Sequence, residues 1–164
     1  MQTATITQLK QELLHQDTEA LVVLCLRLAR FKKDNKELLT YLLFEANDND
    51  AYVANIKQDI SAQFGAMNAG NSYFIKKTLR KILSITTKFI QYSGSELVKI
   101  ELLFHYCTCM LQMDAIFHRN AVIANLYWNQ RKKIMKAIST LHEDLQYDFS
   151  RRLKALPLQL WEPL

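Results

Sequence analysis

Ser72-Tyr73-Phe74-Ile75-Lys76-Lys77-Thr78-Leu79-Arg80-Lys81-Ile82-Leu83-Ser84-Ile85-Thr86-Thr87-Lys88-Phe89-Ile90-Gln91-Tyr92 contains no glycine and no proline. At 3.6 residues per turn, Phe74, Ile75, Leu79, Ile82, Phe89 and Ile90 fall on one side of a helix. Lys76, Lys77, Arg80, Lys81 and Lys88 fall on the other. A half-buried strand would alternate apolar and polar at every second residue, and this stretch does not. It predicts an amphipathic helix over about 73–92, with Ser72 as the cap.

The same pattern extends in both directions. The chain of 164 residues has three glycines and two prolines, and both prolines, Pro157 and Pro163, lie in the last eight positions. Ser, Thr, Asp or Asn stands at each break, as helix starts require. Thr5 and Gln8 have the spacing of a capping box before a short helix carrying Ile6, Leu9, Leu13 and Leu14. Asp17 caps a second helix to about Ala29. Asp34 with Glu37 makes another capping box for a third, to about Glu45. Asp50 opens a fourth that ends at Gly65. Those aspartates are 17 and 16 residues apart, a step close to half an α-solenoid repeat, although the repeats share no consensus. Ser93-Gly94-Ser95-Glu96 separates the fifth helix from a sixth, which is expected to reach His118. One apolar stripe over 121–155 (Ile134, Ile138, Leu141, Leu145, Phe149, Leu153) predicts a long helix, bent or broken near Thr140.

The fold class is therefore all-α, with six to eight helices in a single domain over residues 1–155. The expected arrangement is a helical-hairpin array of the short α-solenoid kind, with an irregular helical bundle as the alternative. Residues 65–71 are the candidate hinge, and 156–164 form an apolar tail.

Bulk composition narrows the function. At 49% hydrophobic and 23% charged residues, the chain can bury a core and is not of disordered type. Its longest purely apolar run, Ala20–Leu26, falls far short of the roughly 18 residues of a membrane span. Met1-Gln2-Thr3-Ala4 has no basic flank followed by an apolar stretch. Cys25, Cys107 and Cys109 make no disulfide framework. The expectation is a cytoplasmic protein with reduced thiols and no membrane contact.

Catalytic signatures are few. Glu101, His105 and Cys109 share one helix face at i, i+4 and i+8, and Asp114 and His118 form a second acid–histidine pair. Carboxylate, imidazole and thiol are metal-ligand types, so these are weak metal candidates. A buried structural face is the competing reading, because cysteine is among the most buried residues. A di-iron bundle needs two Glu-x-x-His motifs, and Glu12 to His15 is the one copy present. Val53 sits where an EF-hand loop beginning at Asp48 needs glycine. No P-loop, dinucleotide or nucleophile-elbow motif occurs. The prediction is a non-enzyme without cofactor or resident metal.

Charge carries a stronger signal. Residues 1–59 hold seven Lys/Arg against nine Asp/Glu, whereas 60–164 hold fourteen against seven. Besides the basic face at Lys76, Lys77, Arg80, Lys81 and Lys88, a second cluster comprises Arg131, Lys132, Lys133 and Lys136, just after Tyr127 and Trp128. Basic side chains beside aromatics suit phosphates and bases, although a wet helix face also needs charges. The leading functional expectation is a protein-interaction or scaffold module that binds a protein partner or a second copy of itself. Binding of nucleic acid or another polyanion is the alternative. Leu158, Leu160 and Trp161 of the tail are a candidate docking segment, unless they fold back onto the body.

Overall fold

The computed structural model describes residues 2–67, 72–113 and 120–158, and every regular element among them is helical. The chain divides into two compact units, Met1–Glu45 and Ala46–Leu164. The expected hinge at 65–71 lies partly outside the described residues, which stop at Met67 and resume at Ser72.

The first unit holds α1 (Ile6–Leu14), α2 (Thr18–Phe31) and α3 (Lys33–Thr40). Thr5 and Gln8 cap α1 reciprocally, as their spacing predicts: each backbone N–H donates to the other's side-chain oxygen. Asp17 accepts the Ala20 N–H at 2.7 Å and starts α2. The third start differs from the expectation. The break falls at Lys32, whose extended backbone (φ −142°, ψ 143°) separates α2 from α3 by a single residue. Asp34 therefore lies inside the first turn and does not serve as the cap. After Thr40 the helix widens into a π-helical turn, Tyr41–Glu45.

The second unit holds α4 (Asn49–Gly65), α5 (Ser72–Ser93), α6 (Glu96–Leu111), α7 (Ala121–Ile138) and α8 (Glu143–Ala155). Asp48, not Asp50, caps α4 by accepting the Ala51 N–H at 2.9 Å. Gly94 adopts φ 61°, a left-handed conformation open to glycine, and turns the chain from α5 into α6. Ser95 then caps α6 through the Val98 N–H. α6 ends at Leu111, short of the expected His118. The expected long last helix is broken at 139–142. Thr140 does not cap the second half: its hydroxyl donates to the Ala137 carbonyl, and His142 takes the capping position without a side-chain bond.

α6 is the centre of this unit. Ile100, Leu102, Leu103, Phe104, Tyr106, Cys107 and Met110 are all buried, so its apolar residues face every direction. α4, α5 and α7 pack against it. Each fully buried aliphatic side chain contributes about 1.5–3 kcal/mol. The Tyr106 hydroxyl donates to the Leu79 carbonyl at 3.0 Å, and its ring meets Phe64 edge-on. A central helix wrapped by its neighbours makes this unit an irregular bundle. α5 and α7 run along α6 in the same direction as each other. They begin together, where Asn120 Nδ2 donates to Ser72 Oγ at 3.2 Å, and their far ends line a common groove.

Candidate functional sites

The acid–imidazole–thiol face of α6 forms as its spacing predicts, and each group finds a partner on another helix or its own. Glu101 accepts from Lys57 of α4 at 2.6 Å and pairs with the Arg152 guanidinium of α8. Burial raises the Glu101 pKa, but the two cations outweigh it and hold the carboxyl below its usual range. Arg152 also lies over the rings of Phe104 and Phe149. His105 Nε2 lies 2.8 Å from Ser61 Oγ and 3.6 Å from Cys109 Sγ. Desolvation lowers the His105 pKa, which keeps the ring neutral at pH 7. Burial raises both thiols, Cys107 to about 12, so neither is a ready thiolate. Among the described residues no three His, Cys, Asp or Glu side chains converge on a metal position. Asp114 and His118 lie outside the described residues. The arrangement ties α4, α6 and α8 together.

The basic residues separate into two kinds. Arg131 is buried, and its Nη1 donates to the Leu156 and Pro157 carbonyls at 2.5 and 2.7 Å. It closes the C-terminal end of α8, where helix carbonyls lack partners, so it is not available to an external anion. Tyr127 donates to the same Pro157 carbonyl at 2.8 Å. Lys77, Arg80, Lys81, Lys132, Lys133 and Lys136 are exposed, and Lys76 and Lys88 are half-buried. Lys132 sits over the Trp128 ring at 5.2 Å, and Lys88 lies near Phe89 and Tyr92. Lys133 and Lys136 join Lys99 along a groove of about 530 Å³ that also touches Thr87, Gln91 and Glu96. Lys99 is already paired with Glu96 at 2.9 Å.

The first unit shows a different surface. α1, α2 and α3 contain no buried residue. Leu14, Val23, Leu28, Phe31, Leu43 and Phe44 are all exposed, Phe31 and Phe44 by more than three-quarters. Between α2, α3 and the π-helical turn runs a groove of about 670 Å³ with an apolar floor of Leu26, Leu39 and Leu43. Arg30, Lys33 and Lys36 stand along it, and no acidic side chain lines it. The tail residue Leu158 is also exposed, while Leu160 and Trp161 lie outside the described residues.

No helix among the described residues is long and apolar enough to cross a membrane. No protein-family model, curated protein or solved structure matches this chain.

Sequence reasoning identified Glu101 and His105 but not their partners. Lys57 and Ser61 share a face of α4 at i, i+4, yet nothing in their spacing names α6 as the neighbour. Neither did periodicity show that most of the apolar residues of α2 would stay uncovered, since an amphipathic pattern is the same whether its partner lies in the chain or outside it.

Proposed function

We propose that this protein is a non-enzymatic protein-interaction module whose docking surface is the unit Met1–Glu45. One observation carries the reading: three helices with apolar faces and no buried residue. Monomeric proteins rarely leave so much contiguous apolar surface open, and such surfaces mark contacts. A π-helical turn beside the groove supports it, because such turns gather at functional positions. The reading sets the protein in the cytoplasm, in keeping with three free thiols, of which Cys25 is exposed.

The test is crosslinked capture with the full chain as bait, compared with a V23S/L28S/F31S variant. These side chains are exposed, so circular dichroism should show an unchanged fold. Proteins retained by the natural chain, its own copies included, should be lost with the variant. An identical captured set would remove the reading.

A second reading, polyanion binding, draws on Lys133 and Lys136 lining a groove with Lys99 on the side of α6 shared by α5 and α7. It predicts retention on heparin that falls steeply with salt. K133E/K136E should elute markedly earlier, whereas elution unchanged by that substitution would dismiss the groove.

A further inference from the structure

The open face of α2 has a charge order of its own. Glu19, Val23, Leu26 and Arg30 succeed one another at steps of four, three and four, so they form one stripe along the helix. All four are exposed, and neither Glu19 nor Arg30 makes an ion pair among the described residues. The acid stands at one end, the guanidinium at the other, and two aliphatic side chains lie between. The stripe is its own complement when reversed. Laid antiparallel on a second α2, Glu19 meets Arg30, Val23 meets Leu26, and each contact occurs twice about a two-fold axis between positions 24 and 25. Laid parallel, like charges would face each other at both ends.

We infer that the occupant of this surface is a second copy of the chain, docked through an antiparallel α2–α2 contact. The inference rests on the proposed docking role of Met1–Glu45 and names its partner. The groove beside the stripe points the same way. Its cations, Arg30, Lys36 and Lys33, the last paired with Glu37 at 3.4 Å, gather where the other copy's acidic helix start, the Asp17 cap and Glu19, arrives. Met1–Glu45 holds six Lys/Arg and six Asp/Glu, so two such units approach without net repulsion. A 14-residue helix about 21 Å long presents this stripe over its whole length.

Sedimentation of the full chain across the micromolar range tests it, using E19R, R30E, the double variant E19R/R30E, and an equimolar mixture of the two single variants. The natural chain should dimerise. Each single variant places like charges opposite one another twice and should dimerise about tenfold or more weakly. The double variant restores opposite charges, and the mixture should form a heterodimer, since one chain is basic and the other acidic at both ends. Helicity measured alongside checks that each variant folds. If a single variant did not, E19Q and R30Q carry the same expectation of weakening. A natural chain that stays monomeric would overturn the self-docking contact, and the V23S/L28S/F31S capture would then decide separately whether the exposed surface of Met1–Glu45 serves another protein. A dimer indifferent to either reversal, or one that neither the double variant nor the mixture restores, would overturn the antiparallel α2 geometry.

Discussion

Glu101 lies between two cations from different helices, and its chemistry sets a pH dependence. Its folded pKa is below the unfolded value of about 4.3, so the ionised bridge stabilises the fold above that pH. That contribution is lost as pH falls through the folded value. Glu101→Gln should cost on the order of 1–2 kcal/mol near neutrality, and the difference from the natural chain should vanish in acid denaturation curves at low pH. His105 acts on a neighbouring range. Desolvation lowers its folded pKa, so its stabilising share is full above about 6.5 and declines below, as the unfolded chain takes up a proton that the folded ring resists. His105→Asn should flatten that decline in stability measured from pH 7 to 5. Arg131 supplies a contrast among the basic residues. Arg131→Ala removes the donor shared by the Leu153, Leu156 and Pro157 carbonyls at the end of α8 and should cost about 2 kcal/mol in denaturant unfolding while leaving heparin retention unchanged.

At the scale of elements, α2 and α6 have similar apolar content and opposite fates. Leu102 in α6 is fully buried, so Leu102→Ala should cost about 2–5 kcal/mol. Leu28 in α2 is exposed, and Leu28→Ala should change the stability of the monomer by under about 0.5 kcal/mol. Paired urea curves for the two variants check both values. This contrast marks where the sequence stops being readable. Local rules placed the helices well: the Thr5–Gln8 box, the Asp17 cap and the Ser95 start all formed, because capping involves residues three apart. Where two polar residues competed for one start, as Asp48 and Asp50 did, the pattern was ambiguous, and the hydrogen bond to Ala51 went to the earlier one. The break expected near Thr140 formed at 139–142, although the apolar stripe keeps its phase across it and periodicity alone does not separate a bend from a break. Cross-helix partners such as Ser61 for His105 depend on which helices become neighbours, and no spacing within one helix encodes that.

For the whole molecule, stability should be unevenly distributed. α1, α2 and α3 contain no fully buried side chain, whereas α6 is enclosed by three others. Amide hydrogen exchange on dilute protein should therefore be fast throughout α1–α3 and slowest in α6, near the limit set by global unfolding. If the second copy docks as inferred, protection in α2 should rise with concentration while that of α6 stays constant.

The π-helical turn at Tyr41–Glu45 has a bearing on how this chain can change length. Over those five residues the backbone winds more loosely than the helix leading into it. Tyr41 is buried, but deleting one of the exposed residues 42–45 would let the coil tighten to ordinary pitch. The same deletion inside α6 would turn each later side chain by about 100° out of its place in the core. Loss of a single codon is thus tolerable at 42–45 and ruinous in α6, which makes the turn a natural seam for a one-residue deletion.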